Sequence, residues 1–99
     1  MKSTLLILST ISLLSACAGS NDFSPNPGMT GKEIFAQTCV ECHSPVGDYV
    51  MEISADMKDA DLIANKVLGG GMMMPSFPNI QGESAQALAK YVAENSKLK

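Results

Sequence analysis

The feature that most constrains this chain is the pentapeptide Cys-Val-Glu-Cys-His at residues 39–43. It contains two of the three cysteines of the chain and its single histidine. The two thiols are one helical turn apart, and the imidazole follows directly. All three side chains can therefore act on one bound group, and the fold has to place that group beside this motif.

Three kinds of site use such a motif: a redox dithiol, a structural zinc site and a covalent attachment site for haem. A thioredoxin-like dithiol is expected in a βαβ unit after a strand, whereas a predicted helix precedes Cys39. A structural zinc site needs four ligands, and the chain has neither a fourth cysteine nor a second histidine. The motif therefore favours c-type haem, with the thiols of Cys39 and Cys42 attached to the porphyrin vinyl groups and His43 directed at the iron.

The N-terminus is typical of a secretory signal peptide. Lys2 is followed by a short apolar run that Ser and Thr interrupt, too short to span a bilayer as a helix. The run ends in Leu-Ser-Ala-Cys at residues 14–17, which resembles the lipobox of bacterial lipoproteins. The resemblance implies that Cys17 becomes an acylated N-terminus and is a lipid anchor, not a disulfide partner. The alternative is an ordinary secreted protein with a stray cysteine.

These features divide the chain into a cleaved signal peptide (1–16), a lipid-anchored flexible tether (17–29) and a folded domain (30–99). The tether is rich in Ser, Asn, Pro and Gly. The lipoprotein resemblance implies the periplasmic side of a bacterial membrane. Because Ala18 is not Asp, the sorting pattern of that family favours the outer membrane over the inner one.

Composition narrows the classes of partner. From Cys17 onward the chain has no Arg, and six Lys stand against ten acidic residues, a formal charge of −4. Nucleic-acid binding needs a basic footprint, so that class is excluded. A domain of about seventy residues rarely supplies a sufficient core alone and usually needs a disulfide, a metal or a cofactor. Size therefore also favours a bound cofactor.

The helical signals predict a domain of three helices and long loops, with no strand. Thr30 and Glu33 match a capping box that begins the first helix, and Gly69 is expected to stop the second. The helices are predicted at residues 31–38, 59–68 and 83–96, and the loops at residues 44–57 and 70–80.

The region from Thr30 to Ser96 resembles the small, single-haem class I cytochromes c of bacteria. The stretch GKEIFAQTCVECH is similar to the first helix and haem motif of that family, and LAKYVAENSK to its last helix. The resemblance implies an all-α fold of three to four helices wrapped around one covalently bound haem c. It also implies that the first and last helices cross where Tyr91 packs against Gly31 and Phe35.

The same resemblance implies a methionine as the second axial ligand of the iron. The segment GGGMMMPSFP at residues 69–78 is similar to the G-x-M-P pattern of the family, which carries over to Met74 followed by Pro75. Because three methionines stand in a row at residues 72–74, Met72 and Met73 remain open as alternative ligands. Otherwise four further methionines are interpreted as apolar filler of the core or haem pocket. These are Met51, Met57, Met72 and Met73.

A His43/Met74 pair leaves no open iron position, which implies electron transfer and not catalysis. The prediction is a lipid-anchored periplasmic monohaem cytochrome c that shuttles single electrons between redox partner proteins. The alternatives are a haem-based gas or redox sensor, a cytochrome subunit of a larger oxidoreductase complex, and a haem-free lipoprotein that uses Cys39 and Cys42 for thiol exchange. Many relatives support the haem histidine through a Pro carbonyl. Pro45 is too near for that, so a carbonyl of residues 46–53 is the expected partner.

Overall fold

The computed structural model describes residues 19–99, so the predicted signal peptide and the predicted lipid-attachment residue Cys17 lie outside the described part. The described chain has three α-helices: α1 (Gly31–Thr38), α2 (Ala60–Gly69) and α3 (Gly82–Asn95). Two short strands, β1 (Glu52–Ile53) and β2 (Lys97–Leu98), pair in parallel, and a 3-10 helix covers Ala55–Met57. The fold agrees with the predicted all-α class, although the sequence predicts no strand. Within residues 19–99 no helix has the length and apolar character needed to cross a membrane.

Helix α1 begins at the predicted capping box. The Glu33 N–H donates to the Thr30 hydroxyl at 3.1 Å, and the Thr30 N–H donates to the Glu33 carboxylate at 2.9 Å. These two bonds satisfy donors that the first turn leaves unpaired. The observed bounds match the predicted ones, and Cys39 is the C-cap residue, its N–H donating to the Phe35 carbonyl. The helix therefore ends at the first cysteine of the motif.

Helix α2 is displaced by one residue from its predicted position at both ends. Asp59 is the N-cap, not the first helical residue, and its carboxylate accepts the Asp61 N–H at 2.8 Å. The helix includes Gly69 and ends at Gly70, whose φ of 70° no other residue type adopts readily. Gly70, the second of three consecutive glycines, thus supplies the stop that was predicted at Gly69.

The crossing of α1 and α3 forms one half of the core. Gly31 lies so close to α3 that a Cβ there would collide with the Ala87 carbonyl and stand 2.9 Å from the Tyr91 Cβ. The Phe35 and Tyr91 rings pack with centroids 5.7 Å apart at 57°. This confirms the expected contact of these residues. Ile34 and Leu88 are fully buried.

The end of α3 holds the segment before α2, which the sequence predicts as a loop. The Val50 N–H donates to the Asn95 carbonyl, and the Lys97 N–H to the Met51 carbonyl. β1 and β2 continue this pairing. The segment is thereby fixed against the core, where Ile53 is buried. The pairing joins residues more than forty positions apart, so no local pattern predicts it.

The segment of residues 19–29, which the composition predicts as a flexible tether, is bonded to the domain. Ser20 and Ser76 form a parallel bridge. The Ser76 N–H donates to the Gly19 carbonyl at 2.9 Å, and the Asn21 N–H donates to the Ser76 carbonyl at 2.8 Å. Phe23 and Met29 pack against the core.

Candidate functional site

The Cys-x-x-Cys-His motif folds into a turn at the end of α1. The N–H groups of Cys42 and His43 both donate to the Cys39 carbonyl, at 3.3 Å and 3.0 Å. This turn reverses the chain directly after the helix. Cys39 and His43 are half-buried, whereas Cys42 is exposed.

Two adjoining cavities lie beside this turn. The inner one has a volume of about 190 Å³ and the outer one about 470 Å³. Cys39, His43 and Met74 line both of them, and Cys42 lines the outer one. The structure therefore brings all four predicted haem-site residues to one cleft, although they come from two segments about thirty residues apart.

The inner cavity is walled almost entirely by apolar side chains. α2 contributes Ile63 and Val67, and α3 contributes Leu88 and Val92. The segment before α2 adds Met51, Ile53 and Met57. Such a wall fits a flat apolar macrocycle, because most of its surface is removed from water on binding. Two cysteines, a histidine and a methionine, the residue types that attach and ligate haem in c-type proteins, meet at the cleft. The residues present thus fit haem c.

The methionines divide into two groups. Met51 and Met57 are half-buried and pack against the core, as expected for apolar filler. Met72 and Met73 are 90% and 75% exposed, so they do not fill the core, but both line the rim of the outer cavity. Gly70 and Gly71 precede them in the loop that follows α2. Of the three methionines at residues 72–74, only Met74 is half-buried and packs against the core.

The loop that carries Met74 is closed tightly on itself. The Gly71 N–H donates to the Met74 carbonyl at 2.9 Å. A Cβ on Gly70 would lie 2.7 Å from the Ser76 nitrogen and 2.9 Å from the Met74 oxygen. The Phe77 N–H donates to the Val67 carbonyl of α2 at 2.8 Å, which ties the loop to the cavity wall. Residue 70 must therefore be glycine for Met74 to reach the cleft in this conformation.

Burial shifts the pKa values of two groups of the cleft, the Cys39 thiol and the His43 imidazole, in opposite directions. It lowers the pKa of the His43 imidazole. It raises the pKa of the Cys39 thiol, and the Thr38 hydroxyl at 3.3 Å from the sulfur opposes that rise. Desolvation disfavours a charged form in both cases. Burial of His43 thereby favours its neutral form, the form in which imidazole ligates a metal.

The expected support for His43 from a carbonyl of residues 46–53 is not present. Within residues 19–99 the imidazole forms no hydrogen bond with another residue. Val46 and Tyr49 exchange backbone hydrogen bonds. The carbonyls of Met51 and Ile53 accept the N–H groups of Lys97 and Lys99. The structure thus does not bear out that prediction, and four of these eight carbonyls, those of Val46, Tyr49, Met51 and Ile53, accept backbone N–H groups instead.

Lys66 is a cleft residue that sequence reasoning misses. It lines both cavities, and a Cβ on Gly71 would lie 2.8 Å from its Nζ. It places a positive charge at the edge of an apolar cleft, where it can pair with a carboxylate of a bound group. One signal was present: Lys66 adjoins Val67 and lies one turn after Ile63, both of which face the inner cavity.

The cleft does not have the composition of a zinc site. Among residues 19–99, no three or more His, Cys, Asp and Glu side chains group in a way that could hold a metal ion. Cys17, the remaining cysteine of the chain, lies outside that range.

Comparison with protein families finds a match over most of the chain. The family model described as "Cytochrome C oxidase, cbb3-type, subunit III" matches residues 26–92, which is 67 of the 99 residues. The matched region includes the Cys-x-x-Cys-His motif, the Met74 loop and most of α3. Comparisons with curated proteins and with solved structures find no match.

Proposed function

Since the chain belongs to the family of cytochrome c oxidase, cbb3-type, subunit III, and is a small c-type cytochrome, we propose that it is a single-haem electron carrier. Cys39 and Cys42 hold one haem c covalently, and His43 and Met74 are the axial ligands of its iron. The observation that carries this assignment is that Cys39, His43 and Met74 line the same apolar cleft. When bound, haem supplies one-electron chemistry at a potential that its ligands set.

The residues of the cleft then tune the potential and restrict access. A thioether ligand raises the reduction potential relative to other ligation. The apolar wall of α2 and α3 disfavours the net charge of the oxidised site, which acts in the same direction. With His43 and Met74 in place, no position is left for a substrate. The proposal is therefore electron transfer to and from redox partner proteins, not catalysis.

The proposal includes attachment to a membrane through Cys17. The lipobox-like sequence at residues 14–17 supports acylation of this residue, and two or more acyl chains anchor a protein stably. The domain would then lie on the periplasmic side, with the outer membrane favoured by Ala18.

A second candidate function is that of a subunit within an oxidase complex. The description of the family, a subunit of a cbb3-type cytochrome c oxidase, favours it. The chemistry of the cleft is the same in both cases, and the difference lies in the partner. Purification of the full chain from its native membrane in mild detergent separates the two. A stable complex with oxygen-reducing activity supports the subunit, and a protein that purifies alone supports the free carrier.

The experiment that tests the proposed function is expression of the full chain with a c-type haem maturation system. We expect haem that stays on the denatured polypeptide in a gel, and a low-spin spectrum in both oxidation states. A Cys39→Ala, Cys42→Ala double variant should lose the covalent haem. If the wild type also lacks it, the haem assignment is overturned and thiol exchange is favoured. Rapid CO binding to the ferrous wild type at neutral pH would favour a gas sensor.

A further inference from the structure

The N-terminal segment contacts the Met74 loop at one residue, Ser76. Its N–H donates to the Gly19 carbonyl at 2.9 Å, and its carbonyl accepts the Asn21 N–H at 2.8 Å. Both backbone groups of Ser76 are thus bonded to a segment more than fifty positions earlier in the chain. Ser76 lies two residues after the proposed ligand Met74.

Position 76 is the first place after Met74 at which the backbone can be held in this way. Pro75 has no N–H to donate, so a hydrogen bond through an amide donor becomes available only at Ser76. Before Met74, the turn at Gly70 and Gly71 closes the loop from within. The loop is therefore fixed on one side by its own turn and on the other side by the N-terminal segment.

In addition to the pairing with Ser76, two further contacts hold the N-terminal segment on the domain. The Asn79 Nδ2 donates to the Asp22 carbonyl at 3.0 Å. The Phe23 N–H donates to the Asn21 Oδ1 at 2.8 Å, and the half-buried Phe23 side chain packs against the core. The segment is thus attached at several consecutive residues, which keeps its strand-like pairing with Ser76 in register.

We propose that residues 19–23, named here the strap, hold Met74 in its ligating position, with Ser76 as the positioning residue that connects the two. The proposal rests on Met74 being the axial ligand of the proposed function. Release of the strap frees the loop after Pro75, so Met74 leaves the cleft more often. The site then changes from a closed electron-transfer site to one at which a small ligand such as CO can bind. The connection between anchor and domain thereby controls access to the iron.

The test uses the full chain with haem attached and the variant Asn21→Pro. Proline at position 21 removes the N–H that donates to the Ser76 carbonyl and also the Oδ1 that accepts the Phe23 N–H within the strap. We expect CO to bind the ferrous variant about 2- to 12-fold faster than the wild type, the range that corresponds to one net hydrogen bond. The ferric absorption band that reports a Met–Fe bond should weaken, and hydrogen exchange at the Ser76 amide should accelerate. Haem content should stay unchanged.

Ser24→Pro is the matched control. It introduces the same ring next to Pro25, where the Ser24 amide forms no hydrogen bond with the described residues. It should behave like the wild type. Asn79→Ala is a second variant that removes the bond to the Asp22 carbonyl without altering any backbone, and it should shift the same readouts in the same direction.

The outcomes separate the strap from the proposed function. If the wild type lacks the Met–Fe band, or keeps it in Met74→Ala, the ligand assignment fails. If the band is present and depends on Met74, but Asn21→Pro and Asn79→Ala leave the band and the CO rate unchanged, the strap is overturned and the ligand assignment stands. An equal effect of Ser24→Pro would also overturn the strap, because it would show a general effect of proline.

Discussion

Gly31 of α1 lies against Tyr91 of α3 with no room for a side chain between them. A Cβ on residue 31 would stand 2.9 Å from the Tyr91 Cβ and would overlap the Ala87 carbonyl. The same two helices carry Cys39 at the end of one and the cavity residues Leu88 and Val92 on the other. The close approach of Gly31 to Tyr91 therefore sets the distance between the haem motif and the cavity wall.

Gly31→Ala is expected to destabilise the protein despite the higher helix propensity of alanine. Overpacking costs about 1–3 kcal/mol, whereas Ala gains at most about 1 kcal/mol over Gly in a helix. Gly69→Ala is the matched control, since α2 also contains Gly69 and nothing lies within 4 Å of its added Cβ. Denaturant unfolding should show a lower free energy of unfolding for Gly31→Ala than for the wild type, and no decrease for Gly69→Ala. Equal stability of the two variants would contradict the packing argument.

Thr30→Ala should lower the free energy of unfolding by about 1 kcal/mol, because it removes the hydroxyl that accepts the Glu33 N–H. Thr30→Ser keeps an oxygen at the same position and should retain most of the stability. Thermal unfolding of the two variants beside the wild type measures the difference. A Ser variant as unstable as the Ala variant would show that the methyl group, and not the cap, is responsible.

The capping box also predicts an acid dependence. The bonds from the Thr30 backbone and side chain hold the pKa of Glu33 below its ordinary value. The unfolded state therefore binds the proton first, and the contribution of Glu33 is fully present above its unfolded pKa. It is lost as the pH falls through the lowered folded value. Glu33→Gln can keep the capping box but cannot titrate.

The comparison is made by unfolding wild type and Glu33→Gln at a series of pH values. The difference in free energy of unfolding between the two proteins should change only in the acid range, where the wild type loses more stability than Glu33→Gln. A constant difference from neutral pH to below the lowered pKa would contradict the assignment.

The parts of the fold that the sequence predicts are those with a local cause. The Thr30 capping box, the apolar stripes of the helices and the Cys-x-x-Cys-His spacing all act within a few residues. The features that it misses depend on distant partners: the bonds of Ser76 to Gly19 and Asn21 join segments that share no pattern. Met72 and Met73 have the same composition signal as Met74, and only the closure of the loop at Gly70 decides which one faces the cleft.

Met74→Leu and Met73→Leu distinguish the proposed ligand from its exposed neighbour. Leucine keeps a similar volume but has no thioether sulfur. Met74→Leu should lose the ferric Met–Fe band, lower the reduction potential and admit CO to the ferrous protein. Met73→Leu should match the wild type, because that side chain is 75% exposed. Visible spectra and a potentiometric titration measure both effects. If instead Met73→Leu loses the band, the ligand is one position earlier than proposed.

The strap also predicts how the domain faces the membrane if Cys17 is acylated as proposed. Only Ala18 separates Cys17 from Gly19, so the Cα atoms of Cys17 and Gly19 are at most about 7 Å apart. Gly19 is in turn bonded to Ser76. The loop with the exposed Met72 and Met73 should then lie at the lipid surface.

Peroxide should oxidise these methionines more slowly in the vesicle-bound full chain than in the Cys17→Ser variant, as read by mass spectrometry. A long Gly-Ser insertion after Ala18 keeps the anchor but removes the constraint, so it should restore fast oxidation. Equal rates in all three proteins would show that the loop does not face the membrane.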